Sequence, residues 1–323
     1  MTTLAEQPGT DHAAVDQAAT DWAAWVRDWR GHLGTHSSPQ TITTYLRGVR
    51  QFLDHLARHH PGTLPETVTR RHVEHFLTDL ATEGKAAATR RVRLMTLKSF
   101  FGWMLAEPAT PLAADPTKGV RAPDVPLPPV RVVTDDDLRA VLATCTGGDF
   151  TSLRDAAMLR VLISCGLRRE EVVSLNLDDI DLNRGDLLVH GKGNKPRLVS
   201  LAGSKVSLAL SRYLRVRRKH PGAAGTNAVF LATRANLDGY RMRGQSLAEM
   251  VKRRCNLSGI DVFGPHALRH AWADANKRAG LSDEDLERMA GWSSPLMVRR
   301  YGRALAEGRA RDAHATLGTG DRV

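Results

Sequence analysis

The sequence predicts a mainly helical protein: an all-helical first domain, then a larger α+β domain with a small antiparallel sheet. Three observations carry this. Apolar residues recur at helical spacing up to residue 107, seven of the fifteen prolines crowd into 108–129, and short apolar runs between glycine turns then interrupt further helices. At 323 residues the chain is long enough for two separate cores.

Taken in order, residues 1–15 are polar, unlike a leader, and are expected to be disordered. A helix around Trp22, Trp25 and Trp29 is expected to pack on its neighbours, since tryptophans at this spacing usually build core. Ser38 before Pro39 is a cap and first-turn pair, followed by Ile42, Tyr45, Val49, Phe52, Leu53 and Leu56 on one face. Thr69 caps the next helix, which shows Val73, Phe76, Leu77 and Leu80 on one side and stops at Gly84. Residues 86–107 form a third, apolar at Val92, Leu97, Phe101, Met104 and Leu105. The helical domain is thus expected over 16–107. Proline lacks a backbone donor and disfavours helix before it, so 108–130 should be an extended, stiff connector.

The second domain is expected over 131–310, with a tail at 311–323. Thr134 and the aspartates after it open a helix through Leu138, Val141 and Leu142. Another helix, about 152–165, stops at Gly166; short strands follow at 180–182, 187–190 and 198–201. Asn183-Arg-Gly185 and Gly191-Lys-Gly-Asn194 supply the turns. The remainder reads as helix, with Ser282 and Asp285 opening one and Ser294-Pro295 another.

Charge narrows the partner. Lys and Arg number 46 against 35 Asp and Glu, a net +11, which points to a polyanion. Cys145, Cys165 and Cys255 are isolated, without metal-ligand spacing, so a disulfide framework or zinc module is not expected and a reducing compartment, the cytoplasm, is. No segment approaches the roughly 18 consecutive apolar residues of a membrane span, so no membrane partner is expected.

Chemistry concentrates in five strings of the second domain. Arg168 follows Gly166-Leu167 just past a helix end, where it can pair with Glu170 or Glu171 or project into a cleft. Lys192 sits on a glycine-lined turn that lets the backbone approach a ligand closely. His266 and Arg269, three apart behind Pro265, share one helix face. Trp292 follows Gly291, and nine residues on Tyr301 lies among Arg299, Arg300 and Arg303, whose charge favours a phenolate. Two arginines can clamp one phosphate, a lysine can protonate a leaving oxygen, and a tyrosine can attack phosphorus.

This order resembles the tyrosine recombinases, the family of Cre, the Xer proteins and lambda integrase, over nearly the whole chain. The resemblance implies that Tyr301 attacks the scissile phosphate, leaving a 3′-phosphotyrosyl link, and that Lys192 protonates the 5′-hydroxyl. Arg168, Arg269, His266 and Trp292 would stabilise the phosphorane, with Glu171 and His270 in support. Arg169 competes with Arg168, but the Gly-Leu-Arg register favours Arg168. The usual histidine is tryptophan at 292, as in Cre; an indole N–H donates a hydrogen bond but shuttles no proton.

Arg47, Arg50, Arg90, Arg91, Arg93 and Lys98, a solvated face when taken alone, become an expected DNA face, and Lys195 and Arg197 are expected on flanking phosphates. The implied partner is double-stranded DNA, gripped by a homotetramer on paired sites through a Holliday junction. A partner recombinase or accessory protein stays open. Neither metal nor cofactor is implied. Replicon multimer resolution or mobile-element recombination is the expected task. A phage or transposon integrase, a type IB topoisomerase and a non-cleaving DNA-binding descendant are the alternatives.

Overall fold

The computed structural model describes residues 12–125, 131–191, 196–236, 239–292 and 306–317. The chain divides into two compact units, Met1–Leu127 and Pro128–Val323.

The first unit is built on four helices: α1 (His12–Gly34), α2 (Pro39–His59), α3 (Arg70–Thr82) and α4 (Ala87–Ala106). Ser38 accepts a hydrogen bond from the Thr41 amide at 3.2 Å, the cap its sequence promised. Trp29, Phe52, Phe100 and Phe101 are fully buried at the centre, and the Trp29 and Phe100 rings meet edge to face at 5.0 Å. Glycine inside a helix costs about 1 kcal/mol relative to alanine. Gly48 is there because α2 crosses α4 on it: a Cβ would stand 2.8 Å from Thr96 Cγ2.

Three readings need correction here. Helix α1 begins at His12, inside the stretch expected to be disordered. Val92 and Leu105 are exposed, because the buried stripe of α4 runs through Leu94, Leu97, Phe101 and Met104 and leaves them outside it. The proline-rich stretch, where described, is no plain extended connector. It turns, anchored where Asp115 accepts from the Thr117 amide and hydroxyl at 2.7 Å, and buries Leu112 and Val120 in the helical core.

The second unit opens with α5 (Asp135–Ala143), capped by Thr134 as expected, and α6 (Phe150–Cys165). The cap of α6 is Asp149, three residues before the expected start, accepting from the Thr151 and Ser152 amides. A short α7 (Arg169–Ser174) leads to the sheet β1 (Ile180–Asp181), β2 (Asp186–His190) and β3 (Pro196–Ser200), antiparallel in that order. Leu187, Val189 and Val199 face the core.

Next come α8 (Ser204–Arg217), then a two-stranded ribbon, β4 (Leu231–Asn236) with β5 (Gly239–Arg241). This ribbon corrects the all-helical reading of the region. Its approach, Ala228 to Leu231, is fully buried and so lacks the alternation by which a half-exposed strand announces itself. The rest is α9 (Gly244–Leu257), α10 (Pro265–Arg278), α11 (Asp283–Ala290) and a terminal helix, Ala306–Leu317. The helix expected at Ser294-Pro295 lies outside the described residues.

Buried Asp155 accepts from Arg154 at 2.9 Å, Arg253 at 2.7 Å and Arg254 at 2.8 Å, tying α6 to α9. Removing one member of such a group strands charge in the core.

Candidate active site

Glu171 organises the site. Its position in the first turn of α7 lets it accept from the Arg168 amide at 2.8 Å, closing the helix start on itself. The same carboxylate takes Arg168 Nη1 at 2.8 Å and both terminal nitrogens of Arg197 at 3.0 and 2.9 Å. Arg269 Nη1 lies 3.9 Å away. Burial pushes the Glu171 carboxyl up, but the hydrogen bonds from Arg197 and from the Arg168 amide outweigh it, so it stays below the usual glutamate range. Three guanidiniums around one carboxylate leave positive charge over, which suits an anion.

The segments that carry these residues are held by glycines. Gly166 ends α6 at φ 58°, and a Cβ there would lie 2.1 Å from Trp272 Cδ2. This close approach of α10 to the end of α6 brings Arg269 toward the carboxylate that Arg168 also meets. Arg269 Nη1 donates to Gly166 O at 2.7 Å and Nη2 to Ala290 O at 2.6 Å, joining the ends of α6 and α11. Gly291 closes α11 at φ 61°; its carbonyl accepts from Arg168 Nη2 at 3.1 Å, and a Cβ on it would stand 2.9 Å from Arg197 Nη1.

Three sequence-distant strings therefore converge: Gly-Leu-Arg168, His266 to Arg269, and Gly291-Trp292. Arg168 is 38% exposed, whereas Arg269 is 1% exposed. Arg269, expected to complete a clamp on the phosphate, donates from each terminal nitrogen to a main-chain carbonyl. His266 is exposed and His270 buried, their rings 5.0 Å apart. Trp292 is 6% exposed; it packs with Trp272, Leu286 and Ala290 and carries the Arg269 guanidinium 5.3 Å from its ring.

Arg197 is the clear correction. Expected on a flanking phosphate, it is largely buried, bidentate on Glu171, with Nε donating to Met289 O at 2.9 Å. A signal was there: it lies two residues from buried Val199, and side chains two apart on a strand share a face. Lys192, Lys195 and Tyr301 lie outside the described residues.

In the helical unit, Arg47, Arg50 and Arg91 are exposed, while Arg90, Arg93 and Lys98 are half-buried. Arg93 donates to Gln51 Oε1 at 2.5 Å; burial, then the charge of Arg47, lowers its pKa. Like charges held this close favour an anion between them. No described helix is long and apolar enough to cross a membrane.

Comparison with known proteins bears on the whole chain. The model of the phage integrase family matches residues 131–307, and that of the phage integrase N-terminal SAM-like domain matches 32–108. The sequence is 33% identical over 240 residues to tyrosine recombinase XerC of Alcanivorax borkumensis, covering 73% of this chain and 74% of that protein. It is 31% identical over 310 residues to tyrosine recombinase XerD of Pseudomonas putida, covering 95% and 98%. Among solved structures, XerH recombinase bound to a palindromic difH substrate matches with TM-score 0.67 and 18% identity, over 97% of this chain and 91% of that one. A lambda integrase tetramer bound to a Holliday junction gives 0.66 and 18%, over 92% and 81%. At such identity these two likenesses speak for the fold alone.

Proposed function

This chain belongs to the phage integrase family, the tyrosine recombinases, and on that premise we propose that the cluster on Glu171 is the phosphate-binding half of its active site. The supporting observation is the convergence of Arg168 and Arg269 on one carboxylate, with the Ala290 and Gly291 carbonyls beside Trp292 accepting from the same two arginines.

Members of the family cut and rejoin DNA with a tyrosine nucleophile. In this chain Tyr301 attacks the scissile phosphorus. Its oxygen forms the new P–O bond as the bond to the 5′-oxygen breaks, and Lys192 gives that oxygen its proton. The phosphorane carries more negative charge than the diester, so fixed cations stabilise it beyond the ground state. Arg168, the exposed guanidinium, meets the phosphate. Arg269 beside the same carboxylate contributes charge and fixes the two chain segments, and His266 on the same turn of α10 donates to an oxygen. Glu171 and Arg197 keep Arg168 aimed.

Double-stranded DNA is the partner, and four copies on paired sites exchange strands through a Holliday junction. The biological task we infer is resolution of replicon multimers, supported by relatives named XerC and XerD.

A nicked suicide duplex carrying a site selected by binding from random duplexes tests this. Wild type should accumulate a covalent protein–DNA adduct, and Tyr301→Phe should bind the site equally well and form none. A covalent adduct from the Phe variant would remove Tyr301 from its role, and absence of adduct from wild type would favour a binding protein of recombinase descent.

A further inference from the structure

Far along the chain from the phosphate site, the end of α2 and one face of α3 bring together five histidines and a carboxylate. His55 and His59 are one turn apart on α2, and His60 caps it; His72, His75 and Asp79 follow one another along α3. The His55 ring lies 4.9 Å from that of His75 and 4.7 Å from that of His59, and His60 lies 5.2 Å from His75. His55, His60 and His75 each offer a ligand atom within 4.8 Å of the others. No metal is expected from the sequence, because the α2 and α3 histidines are separated by a loop that hides their proximity.

From this arrangement we propose that His55, His60 and His75 bind a divalent first-row transition ion of the zinc class, with Asp79 orienting the imidazoles.

Imidazole nitrogens suit zinc and its neighbours, whereas magnesium and calcium demand oxygen. His60 Nε2 and His75 Nδ1 stand 3.0 Å apart, near the roughly 3.4 Å separating two donors on a tetrahedral zinc with bonds of about 2.0–2.1 Å. Asp79 Oδ2 takes His55 Nδ1 at 3.2 Å, and Oδ1 faces His75 Nε2 at 3.5 Å. That is the carboxylate–histidine pairing that fixes a ligating ring and its tautomer. It leaves His55 Nε2, on a side chain 1% exposed, buried without a hydrogen-bond partner. Such an orphan is costly in a core, and a metal ion satisfies it. His60 and His75 are partly exposed, which gives the ion a path in and leaves its fourth position to water. The bound ion staples α2 to α3 and takes no part in phosphoryl transfer.

The test uses full-length, untagged protein stripped with a chelator. Calorimetric titration with zinc sulfate should show one equivalent bound, and zinc but not magnesium should raise Tm. His60→Gln and His75→Gln, at partly exposed positions that tolerate change, should each cut affinity at least tenfold. Asp79→Asn should weaken it roughly 10–100-fold. His59→Gln and His314→Gln should bind as wild type does. No zinc-dependent heat or Tm shift would overturn the proposal. So would affinity retained in both His60→Gln and His75→Gln, or affinity lost equally in His314→Gln.

Discussion

Glu171 shows how one buried side chain can gather and hold several guanidiniums. Its carboxylate is 6% exposed and holds three donors on two arginines and a main-chain amide. Breaking a buried pair costs about 3–5 kcal/mol because the partners are left uncompensated. Glu171→Gln keeps the shape and loses the charge, so it should free Arg168 and leave Arg197 stranded. Suicide-substrate cleavage should slow by roughly a hundredfold or more, the scale of losing one transition-state donor. Gel-shift affinity for one site should change little. The sign of its pH dependence follows from the lowered pKa. The carboxylate's contribution is fully present above the ordinary glutamate range and is lost as pH falls through its native value. The stability gap between wild type and Glu171→Gln, measured by urea unfolding, should therefore be constant near neutrality and close in acid below about pH 4.5. A gap that widened in acid would contradict the ion-pair reading.

At the scale of elements, the glycine after α6 does what helix length and periodicity cannot: it brings α10 against the end of α6. Gly166→Ala must hold φ 58°, which costs about 1–2 kcal/mol for an L-residue, and its Cβ meets Trp272 at 2.1 Å. We expect a loss of at least about 2 kcal/mol, or a fall in Tm of roughly 4–8 °C for a unit of this size. In a Trp272→Leu background the same substitution should cost less, because the two changes share one contact; strict additivity would rule out the close packing. Such punctuation is why so much was legible. Ser38-Pro39, Thr134, Ser282 and Gly166 announce helix ends by local chemistry, and all four act as read. Arg168, Arg269 and Trp292 were named from strings far apart, and the fold brings them together. What escaped depends on contacts between distant residues. The β4–β5 ribbon is entered through the continuously buried run Ala228 to Leu231, which lacks alternation. Arg197 was given to DNA because an arginine near a turn looks solvated, while strand alternation pointed it inward. The histidines of α2 and α3 lie on separate helices, so their closeness appears only when the helices pair.

For the whole molecule, a net charge of +11 is spread over two units that each carry cations suited to phosphate, so binding should weaken steeply with salt. Assembly on DNA then needs something beyond charge, since protein copies of one sign repel. The end of the chain supplies a candidate. A tail is expected at 311–323, and the helix Ala306–Leu317 runs into it. Yet Ala310, Arg311 and residues 314–317 are exposed, with Leu317 65% so. An isolated helix of this length is marginal in water and gains stability mainly from a packed face. We propose that a neighbouring copy on paired sites offers that surface. Truncation at Gly308 should leave single-site affinity within about twofold, because the phosphate-binding groups remain. It should reduce cooperative filling of a two-site duplex and, with it, coordinated strand exchange, read by gel shift and by resolution of a plasmid carrying two direct sites. Unchanged cooperativity and resolution in the truncated protein would show that the terminal helix does not join the subunits.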